Sequence, residues 1–138
     1  MNNPEHTIGK LIEKQKIAFI ASIDGDGFPN MKAMLLPRKR NGIKEFWFST
    51  NTSSNRVAQY RHNPKAGIYS CDRRFYRGVQ LLGTMEVLED AATKEEMWQN
   101  GDEIYYPQGV TDPDYCILKF TAQRGRYYCN FKSEDFEV

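Results

Sequence analysis

The sequence is poor in the residues that build metal centres and hydrolytic sites. Its 138 residues include 3 cysteines and 2 histidines. Cys71, Cys116 and Cys129 form no Cys-x-x-Cys pair, and an odd count leaves one thiol over. That argues against a zinc site or a disulfide framework and favours a reduced, cytoplasmic setting. His6 and His62 stand far apart, and no Gly-x-Ser-x-Gly elbow occurs, so a hydrolytic triad is not expected. A Walker-type phosphate loop is missing, and the Gly25/Gly27 pair meets Phe28-Pro29-Asn30 where a dinucleotide fingerprint needs its third glycine. Charge of one sign is also lacking. Lys plus Arg is 19 and Asp plus Glu is 18, for a net +1, so no bulk field recruits nucleic acid or an anionic membrane. No apolar run approaches the ~20 residues of a membrane span. The opening residues carry Glu5, Lys10, Glu13 and Lys14 and lack the apolar stretch of a secretory leader.

Packing material is plentiful. Hydrophobic residues make up 40% of the chain, with 8 Phe, 8 Tyr and 2 Trp, which disfavours disorder. The length suits a single domain spanning residues 1–138. Residues 4–15 read as an amphipathic helix with Ile8, Leu11 and Ile12 on one face. The β-branched run 17–23 predicts a strand, closed by the turn residues Asp24-Gly25-Asp26-Gly27. Residues 29–40 predict a second strand, with Met31, Ala33 and Leu35 alternating against Lys32, Met34 and Leu36. Asn41-Gly42 is a hairpin signal leading to a third strand, 43–50. A helix over about 54–62 ends at Asn63-Pro64. Strands follow at 66–71 and 79–88, then a helix from 92 to about 105, a loop over 106–114, and closing strands at 115–120 and 126–131. Seven short strands with turns between them predict a mainly β protein, a small and mostly antiparallel barrel with a few peripheral helices.

The informative segment is 46–56, FWFSTNTSSNR. A strand ends in hydroxyl residues, and an arginine arrives in the first turn of the next helix. Helix N-termini offer unpaired N–H groups and a positive dipole, which favour an anion. Thr50, Ser53 and Ser54 could each offer a hydroxyl, and Arg56 could make a bidentate contact to phosphate. An ordinary serine N-cap beside a solvated arginine reads the same residues equally simply.

In their order and spacing the motifs resemble the FMN-binding split-barrel family, the pyridoxamine 5'-phosphate oxidase-like proteins. The short branch typified by general stress protein 26 is the nearest in pattern. The resemblance rests on Lys32-Ala33-Met34, Phe48-Ser49-Thr50, Ser54-x-Arg56, Asn63-Pro64, Gly83, Trp98, Tyr106-Pro107-Gln108-Gly109 and Asp112-Pro113, and it covers roughly residues 5–130. It implies an antiparallel split β-barrel and a homodimer with flavin sites at the interface. It also implies that Lys32, Ala33 and Met34 run along the isoalloxazine ring beside Phe48, Ser49 and Thr50. Ser54 and Arg56 would then hold the FMN phosphate, helped by Ser53 and Asn55. Lys32 also reads as a solvated strand lysine, since alternation alone does not fix its face. Many longer relatives have glutamine where Gly78 stands, and Gln80, on the same strand face, is the available substitute. Tyr128, or Tyr127, replaces a tryptophan that in the family can reach the partner subunit's flavin; both tyrosines also suit core or interface packing. Arg73, Arg74 and Arg77 around Phe75-Tyr76 read as a solvated hairpin or as facing an anionic substrate. Met97 and Trp98 suit core packing at helical spacing. The basic C-terminal segment with which true pyridoxamine phosphate oxidases bind substrate is missing, so pyridoxine phosphate is not the expected substrate.

Three functions follow as expectations. The first is an FMN-dependent oxidoreductase with no side-chain nucleophile. The second is a flavin-binding module or sensor without turnover, and the same fold could hold a deazaflavin or haem. The third is a nucleic-acid binder that stacks bases on Phe46, Trp47 and Phe48 beside Arg38-Lys39-Arg40, a reading opposed by the near-neutral charge.

Overall fold

The computed structural model describes all 138 residues. Helix α1 (Pro4–Glu13) starts where Asn3 accepts the His6 N–H with its side chain and Pro4 occupies the first turn, which needs no amide proton. Ile8, Leu11 and Ile12 are buried on one face, as their spacing predicts. Each such side chain stabilises the fold by roughly 1.5–3 kcal/mol.

Eight strands follow: β1 (Ile17–Ile23), β2 (Pro29–Leu35), β3 (Lys39–Asn41), β4 (Glu45–Asn51), β5 (Lys65–Asp72), β6 (Arg77–Leu88), β7 (Tyr115–Cys129) and β8 (Lys132–Glu137). They form one sheet in the order β2-β1-β5-β6-β7-β4-β3, with β8 paired to β7, and every pairing is antiparallel. Helix α2 (Asn55–His62) follows β4, and α3 (Ala91–Met97) follows β6. The sheet curls around a main core that includes Ala18, Ile20, Phe46, Phe48, Leu81 and Phe120. A smaller cluster of Met97, Tyr106, Tyr115 and Ile117, with Trp47 and Trp98 against it, lies on the other side of β4 and β7. This is the expected mainly β, antiparallel split barrel.

The barrel splits at a definite place. Residues 29–40, expected as one strand, divide into β2 and β3. On the far side of the break the Arg38 N–H bonds the Trp47 carbonyl at 2.7 Å and Lys39 pairs Trp47. On the near side Leu35 pairs Ile17. Pro37 stands between them, and its missing amide proton removes a ladder bond just where the chain leaves β1 for β4. From there β2 and the last residues of β4 diverge, each with an unpaired edge.

Three other boundaries differ from expectation. The helix expected over 92–105 ends at Met97, because Trp98 is extended and Gly101 turns at φ 98° into a short 3-10 helix, Asp102–Ile104. A second short 3-10 turn, Gly109–Thr111, lies in the expected loop. The two closing strands are one fifteen-residue strand, β7, followed by β8. The register shifts at Leu82/Gly83, where a Cβ on Gly83 would lie 1.9 Å from the Thr121 carbonyl oxygen. Only glycine lets β7 cross that closely. The β7–β8 turn is Asn130-Phe131, both at positive φ, a geometry that usually calls for glycine and so left no readable signal.

Candidate cofactor site at the split

The mouth of the split is built by the end of β4 and the start of α2. Along β4, Phe46, Phe48 and Thr50 point inward and are buried. Phe48 therefore gives its ring to the core, and only its backbone can face the split. Ser49 points to the other side, toward Tyr106, whose phenol burial raises above its ordinary value despite the Ser49 hydroxyl beside it. Helix α2 is tied to β1 by Tyr60, whose hydroxyl donates to the Ala21 carbonyl at 2.9 Å, and by Ser22, which donates to Gln59. Burial drives the Tyr60 phenol well above its usual value, so it stays a neutral donor. These contacts hold the first turn of α2 between β1 and the end of β4.

In that turn, Arg56 Nη2 donates to Thr50 Oγ1 at 3.0 Å. The rest of the guanidinium is not so engaged: Arg56 Nε is buried without a partner. Ser54 occupies the N-cap position but makes no capping hydrogen bond, and its Oγ is also buried without a partner. The ordinary serine N-cap is therefore not what this turn contains. Buried polar groups are nearly always satisfied, and three of the five buried side-chain polar atoms without a partner, Thr52 Oγ1, Ser54 Oγ and Arg56 Nε, fall in this one turn, which marks a place suited to a hydrogen-bonding ligand. A phosphate monoester fits that donor set in charge and in geometry.

The other expected site residues are distributed as follows. Ser53 turns to Asp114, which accepts its N–H at 2.8 Å, while Asn55 is exposed at the start of α2. Lys32 and Met34 lie on the inner face of β2, opposite Ile20 and Ala18. Met34 is buried in the core, whereas Lys32 is exposed at the free edge. Ala33 lies on the outer face opposite Phe19. Gln80 and Tyr128 are not brought to the α2 turn of their own chain. They lie on the outer face of β6 and β7, Gln80 opposite Tyr69 and Tyr128 opposite Gly78. A Cβ at Gly78 would stand 2.4 Å from the Tyr69 hydroxyl, so Tyr69 occupies the space beside this glycine. The outer face holds an open cavity of about 1020 Å³, lined in part by Phe19, Met31, Tyr69, Gln80 and Leu82.

Two of the three rings considered for base stacking are turned away from solvent, and Trp47 is half-buried. Phe46 and Phe48 are in the core, and the adjacent cations are all paired: Arg38 with Asp102, Lys39 with Glu96, and Arg40 with Glu13.

An antiparallel barrel opened between two strand edges, with a cationic hydroxyl-lined turn at the opening, defines a split-barrel protein. Residues 5–129 match the pyridoxamine 5'-phosphate oxidase family, and the chain belongs to that family. It is 41% identical to a protein from Clostridium acetobutylicum related to general stress protein 26 of Bacillus subtilis, with 98% of this chain and 94% of that chain covered and a TM-score of 0.89. More distant structures share the fold. A pyridoxamine 5'-phosphate oxidase-related, FMN-binding protein from Nostoc punctiforme is 12% identical, covering 100% of this chain and 97% of that one, with a TM-score of 0.75. A haem-binding protein from Mycobacterium smegmatis is 13% identical, covering 99% of this chain and 59% of that one, with a TM-score of 0.77. No curated protein matches the chain. No helix is long and apolar enough to cross a membrane.

Proposed function

We propose that the protein is an FMN-binding oxidoreductase, with the flavin phosphate seated at the α2 turn and the ring lying in the split. The observation that carries this reading is the pair of buried, unpartnered donors, Ser54 Oγ and Arg56 Nε. Thr50 orients Arg56 through its hydroxyl, and the backbone edges of Lys32-Ala33-Met34 and Phe48-Ser49-Thr50 offer N–H and C=O groups to the polar rim of the ring. FMN bound there would supply hydride and electron transfer at the isoalloxazine, with the protein providing position and electrostatics. Lys32, exposed at the β2 edge, would stabilise negative charge on the reduced ring. Haem is the weaker reading, because both histidines are exposed and neither lines the outer-face cavity.

The functional unit in this reading is a homodimer. Ile17, Phe19, Met31, Leu35 and Tyr69 are all exposed on one face of β1, β2 and β5, an apolar patch of the kind that marks an interface. Lys65, Arg124 and Glu137 at its edge carry both signs of charge, as a two-fold copy of the same surface needs. A second copy there would bring Gln80 and Tyr128 to the partner's flavin. The test is an absorbance spectrum before and after FMN addition and gel filtration, with light scattering for mass. Retained flavin bands at about one FMN per chain, on a dimer, support the reading. A colourless protein after filtration ends it. Reoxidation after reduction by NAD(P)H then separates an enzyme from a flavin store.

A further inference from the structure

The turn that seats the phosphate is held in shape by a residue far away in sequence. The Asp114 carboxylate accepts the Ser53 N–H at 2.8 Å and the Asn51 side-chain amide at 2.8 Å, across 61 and 63 positions. The Asp114 carbonyl accepts the Thr52 N–H at 2.8 Å. Three consecutive residues of the turn therefore hang on one side chain and its backbone. Asp114 is itself fixed. Its N–H bonds the Asp112 carboxylate at 2.9 Å, the other Asp112 carboxylate oxygen accepts the Gln108 N–H at 3.1 Å, and the Asp112 carbonyl accepts the buried Lys94 ammonium at 3.0 Å. The chain runs from α3 through residues 98–114 to lock the 51–54 turn from behind.

This lock sorts the donors of the turn. Asp114 engages the Thr52 and Ser53 N–H groups and the Asn51 amide, whereas Thr52 Oγ1, Ser54 Oγ and Arg56 Nε are buried and keep no partner. We infer that Asp114 is a positioning residue, one that pre-forms the seat for a phosphate monoester without touching it. The inference rests on the flavin reading of the site. A pre-ordered turn spares the ligand the cost of ordering it, which raises affinity without any new contact. Hydrogen bonds from the Ser53 hydroxyl, the Asn51 amide and the Ser53 N–H also hold the Asp114 carboxyl below the usual carboxylate range, so the lock stays ionised at neutral pH.

Riboflavin lacks the phosphate and provides the discriminating probe. FMN and riboflavin are titrated against the full-length protein, Asp114→Ala and Asp114→Asn, and amide exchange is followed on the flavin-free forms. Asp114→Ala should weaken FMN about tenfold, as the loss of charged hydrogen bonds predicts, and leave riboflavin unchanged. Asp114→Asn, which keeps an acceptor for the Ser53 N–H, should recover most of the FMN affinity and serves if the alanine variant does not fold. The Ser53 amide, whose partner is the Asp114 carboxylate, should exchange about tenfold faster in the alanine variant. Equal weakening of both flavins, or unchanged exchange at the Ser53 amide, overturns the role of Asp114. If the unmodified protein retains neither flavin, the cofactor reading fails, while the exchange data still decide whether Asp114 orders the turn.

Discussion

Arg38 and Arg56 flank the split, Arg38 where β2 and β3 part and Arg56 in the helix that follows β4. Arg38 is fully answered: both its terminal nitrogens donate to Asp102 at 2.8 Å, and both side chains are about 7% exposed or less. Burial works to raise the Asp102 carboxyl, but the Arg38 hydrogen bonds and the Gln99 N–H win and hold it below its ordinary value. Arg56 has one hydroxyl partner and a buried nitrogen with none. A buried ion pair that satisfies itself joins elements and holds the 98–106 segment on the fork. A half-buried cation with a buried nitrogen left unsatisfied is a cost that the fold carries for a ligand.

Removing one member of the satisfied pair should have the largest effect. Arg38→Ala or Asp102→Ala leaves an unpaired buried charge and should cost about 3–5 kcal/mol in denaturant unfolding. Replacing both, as Arg38→Met with Asp102→Leu, should restore much of that loss, because packed apolar groups substitute well for a buried pair. At the other arginine the effect should move from stability to binding. Arg56→Ala should weaken FMN by about 1.5–3 kcal/mol in a fluorescence titration, with little change in the melting temperature of the flavin-free protein. An Arg56→Ala protein that melts far lower but binds FMN normally would erase the contrast.

Acid should also act on the satisfied end. Asp102 has a lowered native pKa, so its contribution is complete above the unfolded carboxyl's value, about 3.9, and is lost as pH falls through the native one. Unfolding free energy measured down to acid pH should lose this component in the Met/Leu double variant. The smallest effect is expected at Ser54. N-cap serines normally cost about 1 kcal/mol when changed to alanine. Here no capping bond exists, so Ser54→Ala should leave flavin-free stability unchanged or slightly higher and weaken FMN by about 1 kcal/mol. A typical N-cap loss in the flavin-free protein would show that Ser54 is structural after all.

Much of this was legible before any coordinates. The 17–23 run, the Ile8/Leu11/Ile12 face, the Asn41-Gly42 hairpin and the helix before Asn63-Pro64 all rest on local periodicity or turn chemistry. The Ser54-x-Arg56 spacing singled out the turn where the orphaned donors lie. Less legible was anything that depends on strands meeting. A fifteen-residue β7 reads as two strands because its middle, residues 121–125, is mostly polar and ends in Gly125, and its register against β6 shifts at Leu82/Gly83. Asp114 read as part of a loop, since an acid's partners 61 and 63 positions away leave no periodic trace.

The sequence by itself determined where the first helices and most strands lie, which faces are apolar, and which residue types could meet an anion, because these follow from the properties of neighbours along the chain. The tertiary structure alone decided that the barrel opens at Pro37, that Arg38 is consumed by Asp102 while Arg56 is left partly free, and that Ile17, Phe19, Met31, Leu35 and Tyr69 gather on one face. Those outcomes depend on which side chains end up within hydrogen-bonding distance after the sheet has closed, and that is a property of the folded chain.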